Sequence, residues 1–325
     1  MTEGPIERAE GLTGPTLRQQ ESRAGLTLLS PTFLVVVAVI ILPVLWTIFI
    51  AFRDLRLRDL RDVGIFGAGF TLDNFADVLS SRGFLDALLT TVIYSVAGTT
   101  LAIGLGLAAA LIVRAPFRGR TLVRASMLLP YVSPVVAVAF VWSVMLDPNL
   151  GIVNAFGEEV LGWERAIPFL SERSSDVSIF GISLGIPTAL LTVIAFQAWR
   201  YFPFAFLFIL ARLQAVPVDL DEAGKVDGAS PLQRFRYILL PQLSGVIALL
   251  AVLRFIWTFN EFDDIYLLTG GGAGTEVVAV GIYNRLTGRG DIGAAAAFSL
   301  VLAAMLAIFL FLYFRYFGKR GETSL

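Results

Sequence analysis

Leu29-Ser30-Pro31-Thr32-Phe33-Leu34-Val35-Val36-Val37-Ala38-Val39-Ile40-Ile41-Leu42-Pro43-Val44-Leu45-Trp46-Thr47-Ile48-Phe49-Ile50-Ala51-Phe52 is a run of 24 residues, apolar almost throughout. A bilayer core about 30 Å thick takes roughly 20 such residues in a helix rising about 1.5 Å per residue. The run therefore reads as a membrane span. Five more stretches qualify, at residues 88–113, 126–145, 184–210, 244–268 and 293–317. The expected fold is an all-α polytopic membrane protein, its six transmembrane helices forming one domain over residues 29–317.

Composition points the same way. Hydrophobic residues make up 56% of the chain and charged residues 16%, and the mean hydropathy is +0.77, far above what a soluble globular chain tolerates. Lys plus Arg total 25 against 26 for Asp plus Glu, so there is no basic footprint for nucleic acid. The sequence has no Cys and no His, which removes disulfides, thiol nucleophiles and imidazole acid/base chemistry. No metal site or bound cofactor is expected, and an enzyme would have to work with carboxylates, Lys, Tyr or Ser. No constellation of nucleophile and base is visible among them.

The segments between the spans are too polar or too rich in Gly to cross lipid with unsatisfied backbone groups. Residues 1–28 carry Glu3, Glu7, Glu10, Glu21, Arg8, Arg18 and Arg23 with no apolar h-region, so they read as a cytoplasmic polar tail rather than a signal peptide. Residues 318–325 form a second such tail. With both termini in the cytoplasm, the inner segments hold fourteen basic residues and the outer segments nine, which favours this orientation by the positive-inside rule. The expected location is the bacterial cytoplasmic membrane.

Small residues stud the second span (Gly98, Ala102, Gly104, Gly106, Ala108) and the sixth (Ala294 to Ala297, Ala303, Ala304, Ala307). They let helix backbones approach closely, the usual basis of association in lipid. Pro130, Pro134, Pro187 and Pro203 interrupt spans three and four, each removing a hydrogen bond and favouring a kink. Broken helices are where transporters place substrate paths.

Between spans four and five, the loop over residues 213–243 contains Pro217-Val-Asp-Leu-Asp-Glu222-Ala-Gly-Lys-Val-Asp227-Gly228-Ala-Ser230-Pro231-Leu-Gln-Arg-Phe-Arg-Tyr-Ile238-Leu-Leu-Pro241. Its chemistry spells two short helices. Asp219 is placed to cap the first, with Glu222 reaching back to it, and Gly228 supplies the left-handed residue that ends it. Ser230, Pro231 and Gln233 make a capping box with Pro at the first helical position, and Pro241 is expected to stop the second helix. Phe235, Ile238 and Leu239 share one face of it, so the loop is a compact amphipathic projection suited to docking in a protein groove.

The spacing Glu222-Ala223, Gly228, Ile238-x-Leu240-Pro241 resembles the cytoplasmic signature of binding-protein-dependent ABC importer permeases, departing at Gly224, where that pattern usually has a second Ala. Further stretches are similar to the carbohydrate-uptake branch: Leu210-Ala-Arg-Leu-Gln214-Ala-Val-Pro217, Trp257-Thr-Phe-Asn260-Glu-Phe-Asp263, Leu267-Leu-Thr269-Gly-Gly-Gly, Gly151-Ile-Val-Asn154 and Thr275 through Ile282-Tyr283. The Gly-rich segment looks most like the maltose-type first permease. The resemblance implies that Glu222 through Pro241 form the coupling helix seated in an ATP-hydrolysing subunit. It involves Glu222, Ala223, Gly224, Asp227, Gly228, Ala229, Phe235, Ile238, Leu240 and Pro241, with the family's usual contacts carried over to Glu222, Ala223 and Gly228. It further implies a heterodimer with a second homologous permease, two ATP-binding cassette subunits holding ATP and Mg, and an extracytoplasmic sugar-binding protein. No G-x-x-x-x-G-K-[ST] run occurs in this chain, so nucleotide is not expected to bind here.

Charges at membrane depth need water or a partner. Gln197, Arg200, Tyr201 and Phe204 form a polar and aromatic stripe on span four, and Arg254, Trp257, Glu261 and Asp264 are expected to share one face of span five. A sugar needs that pairing of hydrogen-bonding groups with flat rings. Gln197, Tyr201, Arg254, Trp257, Asn260, Glu261 and Asp263 are the candidate path residues. The alternative is that Arg200 or Arg254 pairs with Glu261 to hold the bundle together. Among functions, an ATP-driven importer of a di- or oligosaccharide leads. A secondary carrier using Glu261, Asp263 and Asp264 as ion sites, or a permease for a polyol or glycerol-phosphate compound, remains the alternative.

Overall fold

The structure, a computed structural model, describes residues 17–317 apart from 63, 180 and 181, so the 318–325 tail and residues 1–16 of the 1–28 tail lie outside the described residues, while 17–28 are already helical. The chain runs α1 (Leu17–Val36), a π-helical turn (Val37–Ile41), α2 (Leu42–Ala51), a 3-10 turn (Leu57–Leu60), α3 (Gly64–Gly67), α4 (Asp73–Ser80), α5 (Arg82–Ile112), α6 (Arg120–Ser126), α7 (Leu129–Val132), α8 (Val135–Met145) and α9 (Ile152–Glu159). Then come β1 (Ser175–Ile179), β2 (Ile182–Ile186), α10 (Thr188–Ala215), α11 (Val218–Val226), α12 (Pro231–Arg234), a second π-helical turn (Phe235–Leu239), α13 (Leu240–Phe259), α14 (Asp263–Thr269), α15 (Val278–Arg289) and α16 (Ile292–Phe317).

Among the described residues, five helices are long and apolar enough to cross a membrane: Leu26–Ala51, Arg82–Ile112, Thr188–Ala215, Pro231–Phe259 and Ile292–Arg315. The stretch expected as span three is instead a pair, Arg120–Val132 and Val135–Met145, bent by 95°. Ser133 between them is extended, as a residue preceding Pro must be, and Pro134 opens α8 as its N-cap.

The all-α expectation is corrected by an antiparallel hairpin pairing Ser175 with Ile186 and Ile179 with Ile182. Leu184 to Ile186 open the run expected as span four, but they belong to a strand. The helix itself opens at Thr188, with Pro187 as its N-cap rather than inside it.

Two prolines behave alike. Leu42 donates its N–H to Val37 O, five residues back, and Pro43 follows; Leu240 donates to Phe235 O, and Pro241 follows. A proline ring collides with the carbonyl four residues earlier in a regular helix, and the wider turn before it gives that ring room. Pro241 therefore does not stop its helix. Pro231–Phe259 is one continuous helix of 29 residues.

Close approach does the packing expected of small residues at some positions and not others. A Cβ added at Gly106 would sit 2.7 Å from Ala205 Cβ and from Phe206 N, so α5 and α10 touch backbone to backbone. Ala102, Ala294, Ala295 and Ala297 are buried, whereas Gly104, Ala108, Ala303, Ala304 and Ala307 are exposed. The core forms three apolar clusters. One surrounds Phe206, Ile209 and Leu243 and extends through Val113, Leu213, Val216 and Leu239. A second joins Ala51, Phe84 and Phe298, and a third joins Tyr94, Phe196 and Ile265.

Candidate functional site

The projection between spans four and five is built from α11, α12 and the second π-helical turn. Its first helix is not capped as expected: Pro217 is the N-cap, Asp219 lies inside the helix, and no side chain accepts a capping bond. Proline at the cap fixes the backbone for helix entry, which displaces the start by two residues. Gly228 has φ +77°, as a left-handed terminator requires. Its neighbour Ala229 donates to Gly224 O at 2.9 Å, closing the end. Ser230 accepts from the Gln233 N–H while the Gln233 side chain accepts from the Ser230 N–H at 2.7 Å, the expected capping box.

Leu239 is buried, Phe235 packs on the core cluster below and Ile238 is half-buried, while Val226, Leu232 and Tyr237 stand exposed to the other side. Gly224 is buried, and a Cβ there would lie 2.9 Å from Ile238 Cδ1. The departure from the family pattern thus coincides with a close approach between α11 and the turn that follows α12. Glu222, Ala223, Asp227, Gly228 and Pro241 are exposed; Ala229 and Leu240 are half-buried. Arg234 turns inward to donate to Asp221 Oδ1 at 3.0 Å.

The second cluster joins α10 to α13 and α14. Arg254 is 2% exposed, donates to Thr258 Oγ1 at 3.1 Å, and lies flat over the Tyr201 ring, 3.9 Å from its centroid. Gln197 Nε2 donates to the same Thr258 oxygen at 2.9 Å. Tyr201 OH accepts from Arg200 Nη1 at 2.9 Å and donates to Glu261 Oε2 at 3.2 Å. Arg200 Nη1 also pairs with Asp264 Oδ1, a buried carboxylate.

The single face expected for Arg254, Trp257, Glu261 and Asp264 does not exist, because α13 ends at Phe259 and a new helix starts at Asp263. The break puts Glu261 in a non-helical link, from which it reaches Tyr201. Asn260 spends its amide on Ile256 O at 2.8 Å, and Asp263 is exposed. Trp257 is 46% exposed, with its ring 5.3 Å from Phe204, and Tyr131 extends the aromatic group at 6.2 Å from Tyr201. Five buried polar atoms here, Tyr94 Oη, Gln197 Oε1, Arg200 Nε, Arg254 Nε and Asp264 Oδ2, have no protein hydrogen-bond partner, which leaves the cluster capacity for a polar solute. The structure gathers Gln197, Tyr201, Arg254 and Glu261 in one cluster, Glu261 by way of the helix break and not by the helical spacing expected of it. Sequence spacing missed Thr258, whose short side chain gave no signal, and undervalued Asp264, where two adjacent acids at a helix start force one inward.

Long apolar helices, a capped projection between two of them and a buried polar cluster at the helix break place the chain among membrane transport subunits. The chain is a member of the binding-protein-dependent transport system inner membrane component family, which it matches over residues 102–320. It is 34% identical to the inner membrane ABC transporter permease protein YcjO of Escherichia coli over 86% of this chain and 88% of that protein. It is 33% identical to the trehalose/maltose transport system permease protein MalF of Thermococcus litoralis over 92% and 95%. Its fold matches a chain of the bacterial alginate ABC transporter solved with an alginate pentasaccharide-bound periplasmic protein, with a TM-score of 0.77 at 20% identity over 95% of this chain and 99% of that one.

Proposed function

We propose that this chain is one of two permease subunits of an ATP-driven importer for a di- or oligosaccharide, with six spans and both termini in the cytoplasm. The observation that carries the reading is the preorganised projection between α10 and α13, capped at Ser230, terminated at Gly228 and offering exposed Val226, Leu232 and Tyr237 to a groove. Likeness to a trehalose/maltose permease supports a disaccharide-sized substrate. The chain pairs with a second permease, seats its projection in one of two ATPase subunits that hold ATP and Mg, and receives sugar from an extracytoplasmic binding protein.

Around Tyr201 and Trp257, ring faces and hydrogen-bonding groups meet as a sugar's C–H faces and hydroxyls require. The test is reconstitution of the four-subunit complex in proteoliposomes with its binding protein. Uptake of radiolabelled trehalose or maltose that requires ATP inside supports the reading. Uptake by this chain without any ATPase would sink it, and uptake of glycerol phosphates in place of sugars would correct the substrate class.

A further inference from the structure

Resting on the importer reading, we infer that Asp221 is a positioning residue that ties the coupling projection to the cytoplasmic end of α5, so that motor strokes enter the bundle through span two as well as through spans four and five. Asp221 is 16% exposed and gathers three cations. Arg234 of α12 donates to its Oδ1 at 3.0 Å, and its Oδ2 faces Lys225 at 3.5 Å and Arg114 at 4.0 Å. Lys225 is its own helical neighbour, but Arg114 comes from a distant part of the chain, immediately beyond the end of α5.

Arg114 is held in place from behind. Arg120 donates to Arg114 O at 3.0 Å and to Val113 O at 2.7 Å, and Arg124 donates to Val113 O at 3.3 Å. These bonds satisfy carbonyls at the C-terminal end of α5 and place cations where the helix dipole favours them. The clamp is backed by apolar contact: Val113 is fully buried in the same cluster as Val216 and Leu239, against which Phe235 packs. Projection and helix end therefore share both an ion cluster and a dry interface.

What α5 carries midway along its length gives the link its use. Gly98 lies against Gln197, and Gln197 is bonded to Thr258 within the polar cluster. Interlocked at Gly98 and Gly106, α5 and α10 cannot slide independently. A displacement delivered at Arg114 is thus passed along α5 to the residues beside the proposed path.

The experiment uses the reconstituted four-subunit complex with its binding protein, measuring ATP hydrolysis and sugar uptake together. Asp221→Asn and Arg114→Ala are each expected to leave hydrolysis within about twofold while uptake per ATP falls about tenfold, and the double variant is expected to be no worse than either single one. Arg114→Ala lies outside the projection, so its effect does not depend on folding of α11. Asp221→Cys with Arg114→Cys, joined by a short bifunctional thiol reagent, is expected to restore uptake, because a covalent tie replaces the electrostatic one. Unchanged uptake per ATP in the single variants, effects that multiply in the double variant, parallel loss of hydrolysis and uptake, or inhibition by the cross-link would each overturn the inference. Failure of the wild-type complex to transport sugar at all would instead count against the importer reading.

Discussion

Gly98 on α5 lies so close to Gln197 on α10 that a Cβ at position 98 would come within 2.8 Å of the amide carbon and nearer still to its oxygen. Gln197 reaches Thr258 at 2.9 Å in the space this missing side chain leaves, and a larger group there would press on its amide. Gly98→Val is therefore expected to overpack the α5–α10 seam by about 1–3 kcal/mol and lower the melting temperature of the purified protein. Gly104→Ala, with nothing within 4 Å of the added carbon, is the matched control. Equal melting temperatures for the two variants would refute the close-approach account.

At Gly228 the argument is conformational. Its φ is +77°, yet no atom lies within 4 Å of where a Cβ would stand. A β-branched residue meets only its own backbone strain, roughly 1–2 kcal/mol. Gly228→Val should abolish uptake while the protein still inserts into membranes, and Gly228→Asn, which tolerates the left-handed region, should keep a substantial part of it. Uptake assays on membrane-inserted protein distinguish these outcomes.

Gly224 is the opposite case, a helical glycine with company. An alanine there would press on the tip of Ile238, 2.9 Å away, which can rotate aside, and would gain up to about 1 kcal/mol of helix propensity. Gly224→Ala should leave uptake within twofold of wild type. Gly224→Leu should lose it, because Arg234 Cγ at 3.3 Å blocks a longer chain.

Arg200 and Asp264 form a buried pair, and breaking such a pair from one side costs about 3–5 kcal/mol. Asp264→Ala should destabilise the protein in detergent by that order, measured as loss of monodisperse protein on heating. Replacing both as Arg200→Met with Asp264→Leu should recover much of the loss, and a double variant no more stable than the single one would show that charge pairing is not what matters there.

Trp257 presents its ring outward while Asp263 stands clear of the cluster. In transport kinetics, Trp257→Ala should raise the KM for sugar about tenfold, and Asp263→Ala should leave both KM and maximal rate unchanged. A reversal of those two results would relocate the path.

The apolar runs made most spans legible, since 20 or so residues without charge admit few readings in lipid. Their ends were less so. At Leu184 a strand imitates the start of a helix because both are apolar, and at Leu268 two consecutive helices imitate one because the link at Asn260 to Phe262 carries no Pro or Gly to mark it. In the loop, Ser230 and Gln233 declared their box by spacing alone. Asp219 was misjudged because Pro217 sets the backbone before any side chain can cap it. The Arg114–Asp221 contact spans more than a hundred residues of chain, and no periodicity encodes such a pairing.

The absence of a stop at Pro241 changes the mechanics of the cytoplasmic foot. With α12, its wide turn and α13 fused into 29 residues, the projection is one end of a rod about 43 Å long at about 1.5 Å per residue. Rocking such a lever by about 5° sweeps its far tip by about 4 Å, enough to carry Trp257 across the width of an aromatic ring. Small tilts at the projection are thereby magnified by length alone.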